Sequence, residues 1–271
     1  MTSIHTQQWY SFLEDKGDEL PLDEAMFLIA KEEDPTVDIA ILRQRMDNIT
    51  DKLYLPSRQN PFDCIARINI HLFQKHQFTG DVSDYYHPHN SQLHQVLNQR
   101  KGLPILLSAI YMEIARRVNF KINGIGFPGH FIIQPAENNE PPFFIDPFRQ
   151  GKILCPEDLQ QMLRQVSQEG PSLKEATQAI NNRQIVLRMS GNLFYAYQKR
   201  QHPTGMLRNI DRMLVLNHNA YNLHRIRSQI LTRLCRYQDA AQALEEYLEK
   251  CPVNSDIEEC IQELSLLKGI G

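Results

Sequence analysis

Cysteine is sparse in this 271-residue chain and carries no pairing pattern: Cys64, Cys155, Cys235, Cys251 and Cys260 make an odd count with no CxxC spacing. That argues against a disulfide framework and against a zinc finger, and leaves reduced thiols that pack as small apolar groups. A basic excess is missing too. Lys and Arg number 29 against 32 Asp and Glu, a net charge of -3, so no broad positive field points to nucleic acid. No apolar run reaches membrane-spanning length; the most apolar, Leu103–Ala115, is interrupted by Glu113. The opening stretch Met1–Leu20 has neither a basic n-region nor an apolar h-region and does not read as a signal peptide. These absences set the expectation of a cytoplasmic protein with no nucleic-acid and no membrane partner.

What is present is ordinary globular material. Hydrophobic residues are 42% and charged residues 23%, enough to bury a core, and the length suits one large domain or two modest ones. Pro21-Leu22-Asp23-Glu24 opens a helical pattern that Asp34-Pro35 breaks. Ile39, Leu42, Met46 and Ile49 then form an amphipathic stripe. A third helix is predicted from Asn60 as N-cap and Pro61 at the first helical position. The polar segment Thr79–Ser91 is rich in Tyr and His and reads as an ordered loop. Gly102-Leu103-Pro104 introduces ILLSAIYMEIARRV, apolar nearly all round and therefore the central buried helix.

Strands are expected over Lys121–Gly126, His130–Gln134, Phe143–Ile145 and Gly151–Leu154, with a turn at Glu137–Pro142. From about Asn181 onward the pattern is helical. Leu214-Val215-Leu216-Asn217 recurs as Leu248-Glu249-Lys250-Cys251, an offset of 34 residues that matches the tetratricopeptide period. Tyr237, Ala240, Leu248 and Pro252 fall at the aromatic, small, apolar and terminating positions of that repeat. About two repeats fit, too few to stand alone, so they are expected to pack against the core.

One constellation points to chemistry. His130 and Asp146 each lie eight residues from Asn138, the middle of the predicted turn. A symmetric hairpin would set them opposite one another, where an imidazole and a carboxylate can hydrogen-bond as the base and orienter of a triad. The nucleophile belongs at the start of the buried helix, where the helix dipole activates a thiol. Gly102-Leu103-Pro104-Ile105-Leu106-Leu107 offers no Cys, Ser or Thr there. Ser108, one turn inside, is read as packed or bonded to a backbone carbonyl rather than catalytic. His87, His89 and His94 are read as loop histidines rather than metal ligands with His130. Arg116 and Arg117 are read as snorkelling or pairing with carboxylates, and Arg225 and Arg227 as structural pairs.

The stretch DYYHPHNSQLHQVLNQRKGLPILLSAIYMEIARRVNFKINGIGFPGHFIIQP…FFIDPF resembles the SirB family of bacterial proteins, most specifically in GLP…IY…ARR, FPGHF and IDPF. The resemblance runs from LIAKEEDP near Leu28 to the C-terminal repeats. It implies an α+β fold: a mostly helical transglutaminase-like (papain-like) core with a small antiparallel sheet, followed by an all-α tetratricopeptide-like region. The expected division is 1–57 for N-terminal helices packed on the core, 58–172 for the core and 173–271 for the repeats. By the resemblance, His130 of FPGHF takes the histidine position of a Cys-His-Asp site, Asp146 of IDPF the aspartate position, and the cysteine position falls at or beside Pro104, where no cysteine stands. Leu106 occupies a place where the family often has a small hydroxyl residue. The cleft around this vestigial pair is expected to be lined by Tyr85, Tyr86, Asn90, Gly102, Pro104, Ser108 and Gly129. Tyr85 and Tyr86 have packing against the loop as their other role.

Three functions remain open from sequence. The first is a non-catalytic interaction or regulatory protein binding a protein or peptide. The second is a hydrolase or acyltransferase using His130 and Asp146 with a nucleophile from elsewhere, such as Cys64. The third is a sensor using the old cleft. No cofactor and no metal are expected. The state of Cys64 separates the first two.

Overall fold

The structure is a computed structural model that describes residues 4–16, 20–56, 60–137, 141–166, 170–251 and 257–270. Its central element is the apolar helix read from sequence, Pro104–Arg117 (α6, sixth in the chain), with Pro104 in the first turn after Leu103. Every residue from Pro104 to Tyr111 is buried, as are Glu113, Ile114 and Ala115. A helix buried on all sides has only its ends for charge. Glu113 accepts from Arg116 Nε at 2.9 Å and Arg117 Nη1 at 2.8 Å. Both arginines also reach Asp23 Oδ2, at 2.9 and 3.0 Å, and Arg117 bridges to Asp47 at 3.1 Å. Asp23 lies on Leu22–Glu33 (α2) and Asp47 on Ile39–Thr50 (α3), so one ionic cluster fastens α6 to both. Burial still pushes the Glu113 carboxyl upward.

Local rules explain the elements between. Asn60 caps Pro61–Asn69 (α4), accepting from the Phe62 amide at 3.0 Å. That helix runs on as a π-helical turn, Ile70–Lys75, closed by His76 N donating to His71 O at 3.0 Å. Thr79–Gly80 (β1) pairs in parallel with Lys101–Gly102 (β2), and Leu93–Gln99 (α5) lies between them.

Ile122–Ile125 (β3), Ile132–Pro135 (β4), Phe144–Asp146 (β5), Lys152–Leu154 (β6) and Ala179–Ile180 (β7) form an antiparallel sheet of order β6-β5-β4-β3-β7. Pro156–Val166 (α7) and Leu173–Ala176 (α8) cover it: Ile125, Ile132, Phe144 and Leu154 pack with Leu159 and Ala176. The fold class is α+β, as the sequence predicts.

Compactness divides the chain into Leu20–Val186 and a second unit made of Met1–Glu19 with Leu187–Gly271. The helix Ile4–Lys16 (α1) goes with the C-terminal helices because Trp9, wholly buried, carries Arg212 over its ring at 5.6 Å. The helices α2 and α3 go with the core through the Asp23 and Asp47 ion pairs.

In the second unit, Asn182–Lys199 (α9) crosses the division and Pro203–Leu216 (α10), Asn222–Arg233 (α11), Tyr237–Lys250 (α12) and Ile257–Ile270 (α13) follow. The 14-residue helices α10 and α12 start 34 positions apart, which is the sequence offset in structural form. Ile210, Ile230, Leu231, Ala240, Leu244 and Tyr247 make their core, with Leu234 and Leu248 at its margin. Pro252 and Val253 lie outside the described residues. Arg227 pairs with Asp211 at 2.6 Å and Arg225 with Glu259 at 3.3 Å. No described helix is long and apolar enough to cross a membrane.

Candidate functional site

Asp146 ends β5 and caps the following 3-10 turn, Pro147–Arg149. Its Oδ1 accepts from the amides of Phe148 at 3.1 Å and Arg149 at 3.3 Å. Its Oδ2 lies 2.9 Å from His130 Nε2, with Arg149 Nε at 3.7 Å. Asp146 has no solvent exposure, while the His130 side chain keeps 13%. A carboxylate accepts only, so Nε2 carries the proton of this bond and any proton taken from a reacting group goes to Nδ1.

The route to this pair differs from the symmetric hairpin expected. Asn138, Asn139 and Glu140 lie outside the described residues. The register pairs Ile133 with Ile145, which sets Asp146 opposite Ile132 and not His130. Nor does His130 belong to a strand; its amide closes a turn onto Phe127 O at 3.1 Å, with Gly129 at φ +68°. The two side chains bridge a two-residue offset because the turn before β4 and the capped turn after β5 bend them together.

Sequence reasoning missed Phe148 and Gly80. The Phe148 ring stands edge-on to His130 (centroids 6.0 Å apart, 85°) and to Tyr85 (5.9 Å, 73°), so an aromatic row runs from Tyr85 through Phe148 to the histidine. Tyr86 continues the row against Tyr85 at 5.1 Å and is 49% exposed. Gly80 makes room: a Cβ there would fall 2.5 Å from the Phe148 ring. Phe148 is the last residue of IDPF, so the motif held the signal.

Asn90 is buried and organises the loop, donating to Asp84 O at 2.8 Å and Asp81 Oδ2 at 3.2 Å. Its own carbonyl accepts from Leu103 N at 2.9 Å, tying the loop to the start of α6. The Ser83 hydroxyl on Asp81 holds that carboxyl below its usual range. Gly102 and Pro104 are buried at the same start, and α6 packs on β4 and on the turn after Asp146. Ser108 Oγ is buried without a hydrogen-bond partner among the described residues, so of its two readings the side chain is packed in the core and not bonded back to a carbonyl.

Cys64 is fully buried on α4, and burial, with Asp63 nearby, pushes its thiol up. A protonated thiol sealed from solvent is a poor nucleophile. His87 Nδ1 accepts from the His89 amide at 3.1 Å, and buried His94 stands 4.0 Å from Asp34. Among the described residues no three His, Cys, Asp or Glu side chains gather in a metal-binding arrangement.

Residues 40–191 match the family profile described as the transglutaminase-like superfamily. The chain is 30% identical over 259 residues to a UPF0162 protein of Xylella fastidiosa, covering 92% of this chain and 91% of that one. A UPF0162 protein of Vibrio cholerae is 30% identical over 195 residues, 70% of each chain. The human F-box only protein 21 is 30% identical over 134 residues, 46% of this chain and 20% of that protein.

Proposed function

The chain belongs to the transglutaminase-like superfamily and to the UPF0162 proteins, and we propose that it is a non-catalytic member acting as an interaction or regulatory module in the cytoplasm. One observation carries this reading. At the start of α6, where the superfamily's nucleophile would stand, Leu103, Pro104, Ile105, Leu106 and Leu107 are all apolar and buried. Without an activated nucleophile the His130–Asp146 pair has nothing to deprotonate. Its work is then to lock the turn after β5 against the turn before β4. The resemblance to the SirB family supports the finer reading, in which the C-terminal helices are tetratricopeptide-like repeats. The 34-residue spacing of α10 and α12 agrees with that. The polar outer faces of α10, α11 and α12 suit a protein or peptide partner.

The test is turnover. The purified protein, offered a broad panel of peptide amides, esters and glutamine–amine pairs, shows none, and His130→Ala alters stability or partner binding instead of a rate. Activity that disappears in His130→Ala overturns the reading. Charge reversals across the exposed faces of α10–α13 weaken capture of the partner; capture that ignores them removes the repeat surface from the proposal.

The 2.9 Å His130–Asp146 bond favours a second reading, a hydrolase or acyltransferase of the Cys-His-Asp class. It needs a nucleophile from elsewhere, and the burial and raised thiol of Cys64 count against that candidate.

A further inference from the structure

Apart from the His130–Asp146 pair, a cleft of about 680 Å³ opens in the core between the end of α3 and the α4 π-turn segment. Its polar lining is lopsided: Lys52, Arg67 and Lys75 against the single carboxylate Asp63. Among the described residues these four form no ion pair and no side-chain hydrogen bond with one another or with other groups. Three cations therefore share one concave surface with little to neutralise them, and a concave low-dielectric wall concentrates their field.

Two further features distinguish the place from an ordinary solvated face. Tyr54 and Ile70 also line it and are 75% and 53% exposed, so flat apolar surface lies beside the charge. The walls are also pre-formed. Lys52 holds the left-handed conformation at φ +62° two residues after α3, and the other wall includes a π-helical turn. Both are uncommon backbone states that persist where surrounding structure enforces them, often at functional sites. The enforcing contact is visible: buried His71, inside the π turn, donates from Nε2 to Ile49 O in the last turn of α3, pinning one wall to the other. A volume of this size, fixed walls, a few convergent charges and an exposed ring are the features of a small-ligand site.

We propose that this cleft binds a small anion that carries a phosphate or carboxylate group on a flat body. Arg67 and Lys75 hold the anionic group, Arg67 as a planar fork and Lys75 as a point charge. Lys52 adds to the field, and the flat body lies on Tyr54. The site needs neither His130 nor the C-terminal helices, so it stands whether or not the core is catalytic.

Calorimetric titration of the full chain with phenyl phosphate, benzoate, inorganic phosphate and phenol tests it. Phenyl phosphate or benzoate binds saturably in the millimolar range or tighter, and the stronger of the two identifies the anionic group. That ligand exceeds both inorganic phosphate and phenol by about tenfold or more, and its affinity falls as sodium chloride is added. The double variant Arg67→Gln/Lys75→Gln loses the binding. Both side chains are exposed and unpaired, so the variant keeps its circular dichroism spectrum and melting temperature. Tyr54→Ala lowers the aromatic anion to the level of inorganic phosphate. Absence of saturable binding by both aromatic anions, or binding that survives intact in the double variant, overturns the proposal.

Discussion

The Asp146 carboxylate reaches His130 Nε2 at 2.9 Å although the strand register sets Asp146 opposite Ile132. One aspartate thus satisfies two backbone amides with Oδ1 and a ring nitrogen with Oδ2 while having no contact with solvent. Asp146→Ala leaves those donors unsatisfied and is expected to cost about 2–4 kcal/mol in urea unfolding followed by circular dichroism. Asp146→Asn keeps one acceptor oxygen and costs less. A neutral Asp146→Ala would show that the pair does not lock the two turns.

Gly151 and Gly191 are expected to respond in opposite directions to alanine. Gly151 sits at φ +75°, and a Cβ there would lie 2.1 Å from Asn69 Oδ1. Asn69 donates to Gly151 O at 3.0 Å, so moving it also breaks that bond between α4 and the β5–β6 turn. Gly151→Ala should destabilise by about 2–3 kcal/mol. Gly191 lies within α9 with nothing within 4 Å of its added Cβ, and Gly191→Ala should stabilise by about 0.5–1 kcal/mol. Equal effects in chemical denaturation would contradict both assignments.

Acid should weaken the core through His76. Burial, with His71 and Arg100 near, lowers its pKa from 6.5 to about 4. Between those values the unfolded chain binds a proton that the folded chain refuses, so stability is fully present above 6.5 and is lost as pH falls toward 4. The loss is on the order of 2 kcal/mol after allowing for solvent screening. His94 and His224, also lowered by burial, act in the same direction. A His76→Phe variant should flatten the acid limb of a stability–pH curve measured by urea midpoint; an unchanged limb would assign the sensitivity elsewhere.

Thiol chemistry should follow burial. Cys155 and Cys235 are exposed, Cys251 is intermediate, and Cys64 and Cys260 are buried. With a disulfide reagent at neutral pH, Cys155 and Cys235 react first, while Cys64 and Cys260 wait for denaturant. Rapid labelling of Cys64 in the folded protein, lost in His130→Ala, would revive the enzyme reading.

The legible parts of the fold were those with local chemistry. Asn60-Pro61 gave the start of α4, the all-apolar run gave α6, and the 34-residue offset gave the spacing of α10 and α12. The helix α7 is outside the sequence expectation although Leu159, Met162, Leu163 and Val166 carry a helical period, a signal of the same local kind. The helix α1 is different. IHTQQWYSFLEDK is mostly polar, and its one anchor, Trp9, finds Arg212 some two hundred residues away, a contact that no local pattern announces. At the site, both members of the His130–Asp146 pair stood in motifs. Their register did not, because it depends on turns, and Phe148 was passed over because an aromatic beside a motif reads first as packing.

The placement of α1 has a consequence for the order of events on the ribosome. Trp9 is fully buried and carries over its ring Arg212, which follows Leu20–Val186 in the chain. During synthesis α1 emerges early and must wait, its indole uncovered, until α10 has been made. The connection it closes is long, but closure entropy grows only logarithmically, by about 0.6 kcal/mol for each doubling of length. Insertions in the loops of the Leu20–Val186 unit should therefore tax the helical unit very little. Speed is affected more than stability, because a native contact of such sequence separation forms late and slows the final step of folding.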